Sequence, residues 1–246
     1  MARITAVTNQ KGGVGKTTTA LALAGGLSLQ GYKTLLIDTD AQANASLTMN
    51  ADTEQPGIYE LLKGEPARIQ RTAQGDIIPS SISLAGADME FTQTGREYLL
   101  RDVIAPIKGR YDYIIIDTPP TLGILTINAL AAADDVLIPM GADIYSLQGL
   151  GQLNTTINRV KKYCNGALKI AGLLITRYSG RAILSQDLRE SIAGTAARIG
   201  AGLYETVIRE GIAVKEAQAR QASLYAEKSN AANDYLDFIS EYRKGI

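Results

Sequence analysis

The 246 residues carry 25 Lys/Arg, 25 Asp/Glu, no histidine and one cysteine, Cys164, with 46% of positions apolar and 6% aromatic. This is a globular α/β balance in a chain long enough to bury a sizeable core. It excludes imidazole acid–base chemistry and, within one chain, a disulfide, a four-cysteine zinc site and a cysteine-held iron–sulfur cluster. Net charge is zero, but residues 1–150 hold 11 basic against 16 acidic side chains and residues 151–246 hold 14 against 9, so the C-terminal half could face an anionic polymer.

Met1-Ala-Arg leads straight into an apolar strand, Ile4–Thr8, so no signal peptide is expected. No apolar run approaches the ~18 residues of a membrane span, and the chain is expected to be cytoplasmic. A glycine-rich loop follows, then a helix over Thr17–Gln30 and a strand over Thr34–Asp38. Further strands are expected at Ile77–Pro79, Tyr113–Asp117, Val136–Pro139, Ile170–Thr176 and Thr206–Ile208, and helices at Thr94–Ile107, Thr126–Ala133, Leu147–Tyr163, Ser185–Ile199 and Ala231–Tyr242. In the Leu147 segment Leu150, Leu153, Ile157 and Val160 continue at steps of three and four, which makes one buried stripe. Strands such as Tyr113-Ile-Ile-Ile-Asp117 are apolar on both faces, as buried parallel strands are. The alternation predicts an α/β fold: a doubly wound, mostly parallel sheet flanked by helices on both faces. No repeat, low-complexity tract or linker breaks it, so one domain over residues 1–246 is expected.

The loop after the first strand reads Thr8-Asn9-Gln10-Lys11-Gly12-Gly13-Val14-Gly15-Lys16-Thr17-Thr18 and opens a helix. Glycines permit positive φ in a tight turn, and backbone N–H groups then converge on an anion at the helix N-terminus. Lys16 can reach β- and γ-phosphates and the Thr17 hydroxyl can bind Mg²⁺. Asp38 and Asp40 follow the second strand, and Asp117 ends the Tyr113 strand. Ligands in such sheets bind outside the carboxyl ends of the strands, where all three aspartates and the loop lie. Asp117, at the end of a hydrophobic strand, suits a carboxylate that holds Mg²⁺ through its water shell.

Lys-Gly-Gly-x-Gly-Lys-Thr, with Gln10 at the usual first glycine and an early second lysine, resembles the deviant Walker A loop of the ParA/MinD ATPase superfamily of P-loop NTPases. The resemblance covers nearly the whole chain and is closest to ParA/Soj partition ATPases. It is carried also by Asp112–Leu130, Ile138-Pro139 and Tyr145-Ser-Leu-Gln-Gly-Leu150. It implies that ATP and Mg²⁺ are the cofactors and that residues Lys11, Gly12, Gly13, Val14, Gly15, Lys16, Thr17 and Thr18 bind the nucleotide. Lys11 would cross a dimer interface to the partner's nucleotide, Asp40 would position the attacking water, and Thr17, Asp38 and Asp117 would serve the metal. An ATP-dependent homodimer binding double-stranded DNA non-specifically, and stimulated by a ParB-like centromere-binding protein, is the implied system, which would make the protein nucleoid-associated.

The chain departs from the family at Ile208-Arg-Glu-Gly-Ile-Ala-Val-Lys-Glu-Ala217, where Ile-Pro-Arg-Asn-Val-Arg-Leu-Ser-Glu-Ala is usual. Arg209 and Gly211 replace a proline and an asparagine on the adenine side, and Ala213 replaces a DNA-binding arginine. Arg177 and Arg209 are expected at the nucleotide. Arg181 matches a family DNA-contacting arginine, with Lys215 and Arg220 as substitutes for the lost one. A MinD-like ATPase bound to membrane is the alternative, but it requires a basic amphipathic tail. Asp234, Asp237 and Glu241 against Arg243 and Lys244, with Tyr235, Leu236, Ile239 and Tyr242 as a packing stripe, make a domain-closing helix the expectation instead. A nitrogenase-type reductase would need cluster cysteines, and a dethiobiotin-synthase-like ligase a polar small-molecule pocket; neither is visible.

Overall fold

Alternate residues of the central strands belong to two different cores, one on each face of a sheet. Ile4 and Ala6, Leu35 and Ile37, Ile114 and Ile116, Val136, Ile138 and Met140, and Leu173 and Ile175 fill one layer. Val7, Leu36, Ile115, Leu137 and Leu174 fill the other. A strand with a period of two serves both layers by being apolar on both faces, which is why these segments are rich in Ile, Leu and Val. A buried exception, Thr5, is hydrogen-bonded to Asp135 and Tyr242.

The computed structural model describes residues 1–178 and 186–245. In chain order the elements are β1 (Arg3–Val7), α1 (Lys16–Leu29), β2 (Thr34–Asp38), α2 (Asn44–Thr48), α3 (Ile58–Leu62), β3 (Gln70–Thr72), β4 (Gly75–Ile78), α4 (Ala87–Glu90), α5 (Leu99–Ile104), β5 (Tyr113–Asp117), α6 (Ile124–Ala132), β6 (Asp135–Gly141), α7 (Ile144–Tyr163), β7 (Lys169–Tyr178), α8 (Gln186–Arg198), β8 (Leu203–Arg209), α9 (Ile212–Ala219) and α10 (Asn230–Lys244). The strands form one sheet in the order β3-β4-β2-β5-β1-β6-β7-β8, parallel except for β3 against β4. Helices cover both faces, as expected.

α1 and α10 share the second layer. Leu23 and Leu27 of α1 meet Tyr235, Phe238, Ile239 and Tyr242 of α10, all of them buried. The two helices touch across bare backbone: a Cβ on Gly26 would stand 2.3 Å from Ile239 Cδ1 and 2.8 Å from the Tyr225 hydroxyl. The expected stripe on α10 is therefore a packing face, with Phe238 added to it and Leu236 only half-buried. Among the described residues no helix is long and apolar enough to cross a membrane.

Several elements differ from the sequence reading. The expected helix over Thr94–Ile107 becomes regular only at Leu99, because Gly95 takes a left-handed φ of 83° and a short 3₁₀ turn intervenes. The strand expected at Ile77–Pro79 is the second arm of a hairpin, β3–β4, whose Gly75 has φ 127°. Helices α2, α3 and α4 have only four or five residues each, too few for a period to show. In α9 no residue is fully buried, so no core stripe marks it. The start of the expected helix at Ser185 lies outside the described residues.

Candidate functional site

Strand order 2-5-1 sets the chemistry. Asp38 and Asp117 end neighbouring parallel strands in direct register, and Val7 of β1 is the next partner across, so the phosphate loop begins beside both carboxylates. The strand ends are tied laterally. The Thr39 N–H and hydroxyl donate to the Asp117 carbonyl at 3.0 and 2.7 Å, and the Thr118 hydroxyl donates to the Val7 carbonyl at 2.9 Å.

The loop itself is pinned from β6 and β7. Asn9 donates through Nδ2 to the Pro139 carbonyl at 2.8 Å, and the Thr176 hydroxyl donates to the Val14 carbonyl at 2.7 Å. Gly13 and Gly15 are left-handed, with φ 73° and 79°. That backbone suits glycine, and at Gly15 it turns the chain into the first turn of α1. Lys16 is 7% exposed and donates through Nζ to the Lys11 carbonyl at 3.2 Å. Burial lowers the pKa of its ammonium, while Asp117 and Asp40 pull it back up. Gly12, Gly13, Gly15, Lys16, Thr17, Thr18 and Asp40 line an open cleft of about 810 Å³ that extends past Arg177, Glu210 and Lys215 to Gln218.

Among the described residues, the buried side-chain atoms without a hydrogen-bond partner are Thr8 Oγ1, Gln10 Oε1 and both carboxylate oxygens of Asp117. All belong to the loop or to the strand end beside it. Burial, then the charge of Asp38, raises the Asp117 pKa well above the carboxylate range; the Thr17 hydroxyl and the Lys16 ammonium oppose that rise. An unpartnered buried carboxylate is costly, and a hydrated divalent cation would answer both oxygens. Thr17 and Asp117 therefore fit Mg²⁺, with phosphate and water completing the shell. Such a site needs few protein ligands, in keeping with the absence of any cluster of three or more His, Cys, Asp or Glu among the described residues.

Asp38 is differently used. Its Oδ2 accepts from the Ser46 N–H at 2.9 Å and hydroxyl at 2.7 Å, and Oδ1 accepts from the Asp40 N–H at 3.1 Å. Burial still raises its pKa to about 6 against those bonds. Asp38 thus ties α2 and the Asp40 loop to the metal side of the cleft. The Asp40 carbonyl accepts from the Ser80 hydroxyl at 2.6 Å, and its carboxylate Oδ1 takes the Gln42 N–H at 3.0 Å.

The remaining expected residues divide. Lys11 turns to its own chain, where Nζ donates to both Asp143 oxygens at 3.0 Å and to the Ser146 hydroxyl at 3.3 Å. Asp143 also caps α7 by accepting from the Ser146 N–H at 2.9 Å. The sequence reading missed this pair, although Asp-x-x-Ser before a helical stripe is a capping signal. Arg177 donates to the Gly13 carbonyl, at the edge of the loop. Arg209 lines the cleft, but Asp234 of α10 holds its guanidinium through Nε and Nη2, at 2.9 and 2.6 Å, which commits it to the fold. Lys215 lines the nucleotide cleft, whereas Arg220 lies in a separate crevice and pairs with Glu227. Arg181 lies outside the described residues.

A family model for an AAA domain matches residues 2–170, well over half the chain. The chain is 40% identical to the sporulation initiation inhibitor protein Soj of Bacillus subtilis, covering 98% of each chain. It is 38% identical to the chromosome partitioning protein ParA of Myxococcus xanthus, covering 98% of this chain and 88% of that one. Among solved structures, the cobyrinic acid a,c-diamide synthase of Mycobacterium smegmatis, with bound ATP analog and magnesium, superposes with a TM-score of 0.86. It is 34% identical over 98% of this chain and 93% of that one. A glycine loop between β1 and α1, two adjoining strand-end aspartates and an early lysine thus stand in a chain alike end to end with Soj and ParA: the protein belongs to the ParA/Soj family of partition ATPases.

Proposed function

We propose that this protein binds Mg-ATP in the loop cleft, dimerises on doing so, and drives the partition of DNA. In this reading the ATP-bound dimer binds double-stranded DNA without sequence preference, and a ParB-like centromere-binding protein stimulates hydrolysis and release. The observation that carries the nucleotide reading is the group of four partnerless buried atoms at the glycine loop and the strand end beside it, two of them on the Asp117 carboxylate.

In this reading the loop N–H groups and Lys16 hold the β- and γ-phosphates, and Thr17 and Asp117 hold Mg²⁺, which neutralises phosphate charge when bound. Asp40 orients a water for in-line attack on the γ-phosphorus. The P–O bond to the ADP oxygen breaks as the bond to water forms, giving ADP and phosphate. The partner subunit's Lys11 places a second cation on the developing charge, as an arginine finger does. Each subunit's own Lys11 must first leave Asp143. The apolar face of α10 is already buried, so nothing in that helix favours a membrane-bound reading. Calorimetry of the intact chain with Mg-ATP tests the nucleotide reading. Lys16→Ala should weaken binding about ten- to a hundredfold, the value of lost charge-assisted bonds, and unchanged affinity would remove the loop from the site.

A further inference from the structure

The end of β7 departs from a regular strand at one residue. β7 runs parallel to β8 from Leu173 beside Leu203 to Tyr178 beside Arg209, and the register shifts between Ile175 and Tyr178. Within that shift Arg177 has φ 53°, a left-handed backbone uncommon outside glycine. A shift of this kind re-aims a side chain, and such a residue persists where its surroundings hold it.

The Arg177 guanidinium is held at two points. Nη1 donates to the Gly13 carbonyl at 2.8 Å, and Nη2 donates to Glu210 Oε1 at 3.0 Å. Gly13, Arg177 and Glu210 all line the nucleotide cleft. The Glu210 N–H donates to the Tyr178 carbonyl at 2.9 Å, so the residue that anchors the guanidinium is itself anchored beside the shifted strand end. The two contacts use two of the five guanidinium donors. Glu210 also lies in the segment where the sequence departs from its family. An arginine is usual at that position, and it would repel Arg177 rather than hold it.

We propose that Glu210 is a positioning residue that fixes Arg177 against the phosphate loop, so that Arg177 acts beside Lys16 as a second same-subunit cation for the phosphate chain. The proposal rests on the nucleotide reading of the cleft. Because both side chains are about half exposed, solvent screens the pair, and its effect on binding is several-fold rather than all-or-none.

The test is calorimetry of the full chain with Mg-ADP and with AMP. Glu210→Ala should weaken Mg-ADP about three- to tenfold and AMP much less, because the longer phosphate chain has more charge for Arg177 to meet. Glu210→Gln keeps an acceptor for Nη2 and should recover most of that loss. Arg177→Ala should equal Glu210→Ala, and the double variant should lose no more than either alone. If Glu210→Ala tightens Mg-ADP, Glu210 repels the phosphates and the proposal is wrong. Unchanged affinity, equal losses for AMP and Mg-ADP, or additive losses in the double variant would also overturn it. Absence of Mg-ADP binding by the unaltered protein would instead remove the nucleotide reading, and the proposal with it.

Discussion

Lys11 Nζ stands 3.0 Å from each carboxylate oxygen of Asp143, a residue 132 positions away that also caps α7. Partial burial would raise the Asp143 pKa, but the Lys11 and Ser146 donors outweigh it and hold it below the ordinary carboxylate range. The lysine expected to act in trans is therefore engaged in cis, on a half-exposed pair worth little to stability.

Lys11→Ala should leave each subunit able to bind nucleotide while removing the ATP-dependent dimer and most hydrolysis. Light scattering with ATP, run beside a turnover assay, checks this. Thermal stability should shift by no more than about 1 kcal/mol. An undiminished dimer with normal turnover would refute the cross-subunit role.

Asp40→Ala should lower turnover about a hundredfold or more and leave ATP affinity intact. The contacts of the Asp40 N–H and carbonyl, to Asp38 and Ser80, survive the substitution, and only the Gln42 N–H loses its acceptor. The variant should elute as an ATP-bound dimer in size-exclusion chromatography. A variant that no longer binds ATP would mean that Asp40 holds the nucleotide and not the water.

Asp117→Asn should separate stability from function. The Asp117 and Asp38 pKa values are raised in the nucleotide-free fold, so the native state binds protons more tightly than the unfolded chain does. Their contribution to stability is full below the unfolded value near 4. It is lost as pH rises through the raised values, about 6 for Asp38. The variant should match the unaltered protein near pH 4 and melt higher above pH 6, by about 1–3 kcal/mol, since a buried unpaired charge is gone. It should also lose the Mg²⁺-dependent part of ATP affinity. Melting curves across pH, with ATP binding measured with and without Mg²⁺, test both halves; an equal melting point at pH 7.5 would refute the first.

DNA binding should require ATP, because two copies of a weak basic surface neutralise about twice the phosphates of one. The slope of log K against log salt scales at about −0.9 per phosphate, so dimerisation should make binding both tighter and steeper in salt. Arg220→Glu, outside the nucleotide cleft, should reduce that slope without altering ATP affinity. Fluorescence anisotropy on unrelated duplexes with ATP or ADP decides the matter. Binding that ignores nucleotide, or is absent at low salt, would count against the partition reading.

What the sequence made legible followed strong local patterns. β2, β5 and the loop through Lys16-Thr17 were readable because apolar runs and glycine spacing are dictated within a few residues. Asp38 and Asp117 were readable as strand ends, but their direct register depends on β5 lying between β2 and β1, which no local pattern states. The Lys11–Asp143 and Arg177–Glu210 pairs join residues far apart in the chain, so charge composition gave no sign of either. The Arg209 guanidinium was expected at the nucleotide from the family position it occupies, and it does line the cleft. Its ion pair with Asp234 was not legible, because nothing local joins two residues 25 positions apart on different elements.

The contact between α1 and α10 bears on how the phosphate loop is supported as the chain folds. Tyr242 shares a hydrogen bond with Thr5, 237 positions earlier, at 2.6 Å, and Tyr235 shares one with Thr19, one turn beyond Lys16, at 3.1 Å. The helix that carries the phosphate loop thus lacks one of its two walls until α10 has been made and has docked. Contacts this distant in sequence slow folding, so the nucleotide cleft should become rigid only after α10 has docked. Loosening α10 would therefore loosen the helix behind the phosphate loop, so the far end of the sequence and the first helix melt as one cooperative unit.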